Sequence, residues 1–448
     1  MAKIVPFRAV RYNLSVVKDP ATVVAPPYDV ISPALQDDLY ARDPNNVVRL
    51  ILGRTQGTDN DSDNRYTRAA GEFNRMQAEG VLKRDENPSI YLYDQEFPVD
   101  GQPVVRQGFM ALTKVEDFSS GVIKPHEKTL SGPKTDRLNL TRACRANFSP
   151  IFSLYSDPCC ALESLSRREK ERAPDIEVQD DDGVIHRLWQ VQDPAIIQRA
   201  QTLLDAKPLF IADGHHRYET AMNYRQEMRD KAGNATGREL FNYVLMFFAN
   251  MEDQGMLIFP THRLIHGLEQ LDVPALVQQL GEFFVVEKRT LDPRSAGDRR
   301  ALRDRLAELG VKRHALGLYA GGNEAWLLTL KDESVMDGFF AEDEPKALRT
   351  LDVSILHRLV LERLLGISLD AQEKQTNLAY VKNIDDPFSR VLDGSCQLAF
   401  LMNSTRMSEV RDVANSGSKM PQKSTYFYPK LLTGLVINKI DPGETVDG

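Results

Sequence analysis

The sequence predicts a mixed α/β fold, an α+β arrangement built from more than one domain. Three observations lead there. Apolar runs of strand length alternate with helical patterns along most of the chain, a strand-turn-helix junction stands out at PLFIADGHHRYETA, and 448 residues exceed what one ordinary core holds. Apolar residues at 42% and charged residues at 27% sit near globular averages, which excludes a disordered, collagenous or coiled-coil chain.

The elements follow in order. A proline-rich turn, VVAPPYDVIS, precedes an apolar run at Val47 to Leu52 that reads as a strand. Helical spacing predicts a helix from Arg65 to Glu79. Alternation predicts strands at Ile90 to Phe97, with Tyr91 and Tyr93 on one face, and at Val104 to Val115. A second region opens near Ile123 with IKPHEKT, contains the apolar run SPIFSLY, and ends in a strand that reaches Ala212. Asp213-Gly214 makes the turn there, and a helix runs from His215 to Asp230. Beyond Phe241, helices are expected at Pro274 to Leu280, Ala296 to Leu309 and Leu351 to Leu365. A strand is expected at Phe283 to Glu287, a hairpin of ALGLYAG and AWLLTLK around Gly322-Asn323, and a strand at QLAFLMN before the polar segment SGSKMPQKSTYFYPK. Changes of pattern place three regions: 1–115, mixed α/β; 116–235, holding the phosphate or nucleotide site; and 236–448, α/β.

Composition narrows the partners. The net charge is -8, and the densest basic run, Arg167 to Arg172, is interrupted by acids, so nucleic acid is disfavoured. The four cysteines, Cys144, Cys159, Cys160 and Cys396, form no CxxC pair, which argues for reduced thiols over a disulfide framework or cysteine zinc site. The N-terminus has no secretory pattern, and no run reaches the roughly 20 apolar residues of a membrane span. A cytoplasmic protein without a membrane partner is expected.

The densest chemistry lies at Asp213-Gly214-His215-His216-Arg217. A helix start offers unpaired N–H groups and a partial positive charge, an anion site before any side chain acts. Gly214 admits close approach of a phosphate, Arg217 can fork onto its oxygens, His215 and His216 can donate to it, and Asp213 can cap the helix or hold a magnesium ion. Successive helical residues diverge by about 100°, so one of the two histidines is expected to be structural. A second cluster is Pro125-His126-Glu127-Lys128-Thr129, followed by Lys134 and Arg137. Glu127 near phosphate-binding cations is placed to take a hydroxyl proton, with His126 and Thr129 at the substrate. HEKTL is not HExxH, and both the P-loop and GxGxxG patterns are absent. Weaker candidates are Lys423, Ser424 and Thr425 for phosphate, and Tyr28, Asp29, Arg49, His262 and Arg263 for substrate.

PHE, then SPIF, then a strand ending in ADGHHR resembles the ParB/sulfiredoxin superfamily over about Ile123 to Asp230, and within it the free-serine kinase branch. That resemblance implies a ParB/sulfiredoxin-like central domain with Glu127 as catalytic base and nucleotide phosphates at the Gly-x-x-Arg turn. His215 stands where sulfiredoxin has its reactive cysteine, so that chemistry is not implied. The whole chain, from VPFRAV to MPQKSTYFYPKLLTGLV, resembles the prokaryotic family known as domain of unknown function 1015. The expected activity is phosphoryl transfer between ATP or ADP, with Mg2+, and a small hydroxylated metabolite, free L-serine or O-phosphoserine foremost. The alternatives are a nucleotide-binding regulatory or DNA-partition protein, and a metal-dependent phosphatase with His126, Glu127, Asp213 and His216 as ligands.

Overall fold

The structure is a computed structural model and describes residues 2–99, 101–127 and 131–446. Two compact units form. One comprises 1–125, 129–257 and 429–448, the other 126–128 and 258–428. The mixed α/β class holds in both.

The first unit is built on nine strands: β1 Ile4–Val5, β2 Ile90–Val99, β3 Gln102–Lys114, β4 Ile123–Lys124, β5 Ile151–Tyr155, β6 Ile176–Gln179, β7 Ile185–Val191, β8 Leu209–Asp213 and β9 Tyr243–Asn250. Their order is β4-β8-β5-β9-β3-β2-β7-β6, with β1 added on β3. β8 lies antiparallel to β5 and parallel to β4, so the sheet is mixed. β9 is buried at every position, as a run without alternation requires when both faces are covered. The close approach of β3 and β9 depends on Gly108, where a Cβ would come within 2.4 Å of the Phe247 ring.

Tyr91 and Tyr93 share a face as expected, and each buries its ring while its hydroxyl finds a partner, Asp85 at 2.6 Å and His186 at 2.6 Å. Helices α1 Arg65–Ala78, α2 Ser131–Cys144, α3 Pro194–Asp205 and α4 His215–Ala232 pack around this sheet unit. The apolar run at Val47 to Leu52 is a correction: residues Val48–Ile51 form a helical turn, with Val48, Leu50 and Ile51 all buried. Burial of these three side chains, rather than pairing in a sheet, explains the apolar stretch, which Arg49 alone interrupts.

The chain returns to the first unit at its end. Leu431, Leu432, Leu435, Val436 and Ile437 are buried, Asn438–Lys439 pairs with Ala146–Asn147, and Thr433 and Ile437 bridge to Ala25 and Val10.

The second unit carries a fully antiparallel sheet of β10 His262–Ile265, β11 Phe284–Thr290, β12 Ala315–Tyr319, β13 Glu324–Leu330, β14 Leu378–Val381 and β15 Leu398–Met402, ordered β11-β13-β12-β15-β10-β14. Helices α5 Val273–Phe283 and α6 Ala296–Gly310 fall where the periodicity placed them, and the expected hairpin is β12 with β13. The long helix expected over Leu351 to Leu365 is a short α-helix, Asp352–Ile355, that continues as a π-helix, Leu356–Leu364.

Candidate functional site

The junction at Asp213 is built by a strand irregularity and a glycine. Pairing of β8 with β5 slips between Ile211 and Asp213, a bulge that re-aims the strand end. Gly214 then takes φ +92°, a left-handed conformation costly for any residue with a Cβ. A Cβ there would also stand 2.9 Å from the Arg217 guanidinium. Helix α4 begins immediately, its first bond running from the Tyr218 N–H to the Gly214 carbonyl at 3.0 Å, and its N-cap, a glycine, has no side chain to cap it. An 18-residue helix thus directs its positive end past Gly214.

Two cations converge on one carboxylate beside that helix start. Lys430 Nζ meets Asp213 Oδ1 at 2.5 Å, and an Arg217 terminal nitrogen meets Oδ2 at 2.6 Å. The other terminal nitrogen of Arg217 donates to the Pro150 carbonyl, which ties the SPIF segment to the turn. Burial pushes the Asp213 carboxyl upward, but Lys430 first, then Arg217, and His215 behind them, outweigh that and hold it well below the usual carboxylate range. Two cations against one carboxylate leave a positive excess at the helix start, the electrostatic setting an incoming phosphate requires.

Lys430 is itself held from behind. Its carbonyl accepts from Gln95 Nε2 at 2.8 Å, and the preceding carbonyl, Pro429, accepts from Arg106 at 2.5 Å. Arg106 is fully buried, and burial brings its guanidinium down to about 10, against the pull of Tyr93, Asp253 and Asp213.

The other candidates in this unit fall into two groups. Tyr28, Arg137 and Arg217 line one cavity of about 50 Å³ together with Ser149 and Thr220. Arg137 lies 4.0 Å over the Tyr28 ring and donates to the Ile51 carbonyl and to Asp136, both at 2.8 Å, so its donors already have protein acceptors. Lys134 pairs with Glu219 at 2.8 Å. Arg49 donates to the Tyr40 carbonyl and stacks on that ring, away from the cavity lining, and Asp29 is exposed. His215 is buried and His216 half-buried at the same helix start.

The remaining candidates belong to the second unit. Glu127 is half-buried, pairs across a bridge with Met420, and accepts the Lys423 N–H at 2.9 Å. His126 is fully buried, with Nε2 2.9 Å from Thr425 Oγ1. Ser424 donates to the Pro421 carbonyl at 2.6 Å, and Lys423 adopts φ +57° with an exposed side chain. Arg263, buried beside Tyr380, donates to the carbonyls of Thr261 and Lys423; burial lowers its guanidinium to about 10, with Tyr380 and Glu127 opposing. His262 accepts the Met402 N–H at 3.1 Å, and burial takes it down to about 4. The structure therefore brings His126, Glu127, Arg263, Lys423, Ser424 and Thr425 into one network. Thr129 lies outside the described residues.

Two site residues are absent from the sequence-based set, Lys430 and Arg106. The signal for Lys430 was present in KMPQKSTYFYPK, where the cation that matters is the last one; nothing local marks Arg106. Among the described residues no group of three or more His, Cys, Asp or Glu stands close enough to hold a metal ion, and no helix is long and apolar enough to cross a membrane.

The family described as "Protein of unknown function (DUF1015)" matches residues 4–354. No curated protein matches the chain. Among solved structures, it is similar to a conserved hypothetical protein from Pyrococcus furiosus, at 14% identity and TM-score 0.31, over 68% of this chain and 87% of that one. It is similar to a free serine kinase in complex with AMP, at 12% identity and TM-score 0.33, over 68% and 83%. It is also similar to SbnI with a C-terminal truncation from Staphylococcus aureus, at 10% identity and TM-score 0.32, over 73% and 86%.

Proposed function

The chain belongs to the DUF1015 family, and from that premise we propose that it is a nucleotide-dependent phosphotransferase that moves a phosphoryl group between ATP or ADP and the hydroxyl of a small metabolite, free L-serine or O-phosphoserine foremost. The observation that supports this most is the turn at Gly214: a helix start with glycine at its N-cap, flanked by Lys430 and Arg217, with Asp213 holding both cations in place. Backbone N–H groups and Lys430 receive the nucleotide phosphates. Arg217, tied to Pro150 and Asp213, acts mainly by fixing the turn, with His216 at the helix start beside it.

Glu127 is assigned the hydroxyl proton. Its Oε1 is oriented by the Lys423 N–H, and Arg263 lies in its electrostatic field, which keeps an anionic base in position. Phosphoryl transfer needs little covalent chemistry from the protein beyond alignment and charge compensation, and these residue types supply both. The cytoplasmic setting and the absence of a nucleic-acid partner belong to the same reading.

Magnesium fits the donors poorly as a protein-held ion. Both Asp213 oxygens are engaged by cations, and no three-ligand group exists among the described residues. The same fact leaves the phosphatase alternative without its ligand set. No step here runs through the metal.

The test is turnover with ATP or ADP and a panel of hydroxy compounds led by L-serine, in both directions, beside Glu127→Gln and Lys430→Met. Phosphoserine chemistry lost in Glu127→Gln with nucleotide affinity retained, and nucleotide affinity reduced in Lys430→Met, is the expected pattern. Nucleotide binding without turnover on any acceptor would favour the regulatory alternative. Nucleotide affinity untouched by Lys430→Met would remove the turn from the reading.

A further inference from the structure

The second unit contains a cavity of about 130 Å³ whose wall includes Ser354, His357 and Gln372, with Phe340, Leu348 and Tyr380. The three polar residues are 1%, 5% and 4% exposed, and Ser354 Oγ, His357 Nε2 and Gln372 Oε1 have no well-formed hydrogen bond among the described residues. Buried polar atoms are nearly always paired, and each orphan is a cost to the fold, so three on one cavity wall require an explanation.

Their chemistry is specific. Gln372 Nε2 donates to the carbonyls of Ile367 at 2.8 Å and His357 at 3.2 Å, which fixes the amide and leaves Oε1 without a well-formed hydrogen bond among the described residues, though near enough to the His357 ring to oppose the lowering of its basicity. His357 is brought down to about 3 by burial, with Arg263 and Arg358 pressing the same way and Gln372 opposing, so the imidazole is neutral and Nε2 can accept or donate. The Ser354 hydroxyl can do either. Charges of both signs complete the lining, Arg358 and Lys419 against Glu344 and Glu373. The size is close to the roughly 150 Å³ apolar cavity that admits benzene, which sets the occupant at on the order of six to eight non-hydrogen atoms.

The backbone is unusual at the same place. His357 sits in the π-helical stretch Leu356–Leu364, a geometry rare in proteins and frequent at functional sites. The lining also includes Pro421 and Gln422, which directly follow Met420, the residue that bridges to Glu127.

We propose that this cavity is a binding site for a small zwitterionic metabolite of free amino-acid size, with its N–H donors on Gln372 Oε1 and its acceptors served by Ser354 and His357. Balanced charge in the lining favours a zwitterion over a simple anion, and Gln372 Oε1 has room for a better donor than the His357 ring gives it. The site stands apart from the phosphotransfer reading, which uses none of these three residues.

The experiment is calorimetric titration of the full chain with L-serine, L-threonine and L-homoserine, beside glycerol, acetate and ethylammonium, which each offer part of that chemistry. Ser354→Ala deletes an orphan hydroxyl and nothing else, so the unliganded melting temperature should hold or rise while amino-acid affinity falls about tenfold. Leu369→Trp, from an exposed position on the cavity wall, should abolish binding without loss of fold. Binding of no amino acid, equal binding of glycerol, or amino-acid binding indifferent to Leu369→Trp would overturn the proposal. The last outcome, with turnover intact, would place the amino acid elsewhere and leave the phosphotransferase reading standing.

Discussion

Asp213→Asn tests the charge arrangement at the turn directly. The substitution keeps shape but leaves Lys430 and Arg217 facing each other without their counter-ion. Breaking a fully buried pair costs about 3–5 kcal/mol. The side chains here are 20% exposed for Asp213, 14% for Lys430 and 13% for Arg217, so solvent screens part of the loss and about 2–3 kcal/mol is expected. With a urea dependence of about 2 kcal/mol per molar, the midpoint should fall by about 1 M. The chain has two tryptophans, Trp189 in the first unit and Trp326 in the second, so Trp326→Phe leaves one indole that reports the relevant unit. The sign of the pH dependence follows from the depressed Asp213 carboxyl. Its contribution is fully present above the ordinary carboxylate value of about 4 and is lost only as pH falls through the lower folded value. The gap between wild type and Asp213→Asn should therefore be flat at neutral pH and close in acid. Adding Lys430→Met should recover about 1–2 kcal/mol through the coupling of the pair. A midpoint shift below about 0.2 M, or strict additivity of the two substitutions, would refute the argument.

Three further outcomes are expected. Glu127→Gln should lower turnover by about 10²–10⁴-fold with nucleotide affinity within a few-fold, measured by single-turnover phosphoryl transfer and equilibrium binding. Gly214→Ala should cost about 1–2 kcal/mol or more, because a Cβ at φ +92° also meets the Arg217 guanidinium at 2.9 Å, and denaturation in the Trp326→Phe background reads it. The second unit should be acid-labile. Burial lowers His262 to about 4 and His357 to about 3, whereas the unfolded chain takes up protons near 6.5, so stability present above that value falls as pH drops. Between those limits the slope should approach about 2.7 kcal/mol per pH unit, and His357→Phe should halve it, followed by Trp326 fluorescence in a Trp189→Phe chain.

Much of the fold was legible because local pattern and tertiary role agree. The period-two run at Ile90 forms a strand with Tyr91 and Tyr93 on one face, and PLFIADGHHR gives strand, turn and helix start as written, with the left-handed glycine added by the structure. Val47 to Leu52 reads as a strand because a largely apolar run records burial and not backbone geometry, and a helical turn surrounded by the core looks the same as a buried strand. The π-helical stretch was invisible for a related reason. Its sequence, LHRLVLERL, has ordinary helical spacing, and the shift to wider bonding has no composition of its own.

The candidate site was half legible, and the dividing line is sequence separation. Asp213, Gly214 and Arg217 are written within one turn of chain, so their meeting follows from helix geometry. Lys430 reaches Asp213 from 217 positions away, and nothing near Lys430 says so. What brings it there is the tail that follows: Leu431 to Ile437 is too apolar to remain in water, pairs with the N-terminal region, and carries the preceding lysine to the turn. The same separation explains why Arg137 looked available. In sequence it is a cation eight residues after PHEKT and four after the glycine-proline pair, whereas in the fold Ile51, Asp136 and Tyr28 already take its donors and its face. A cation's part in phosphate binding thus depends on what else in the fold claims its donors. Lys430, whose known ion-pair partner is a carboxylate shared with Arg217, can exchange part of that interaction for a phosphate oxygen; Arg137, whose donors also satisfy a buried backbone carbonyl, cannot do so without leaving that carbonyl unpaired.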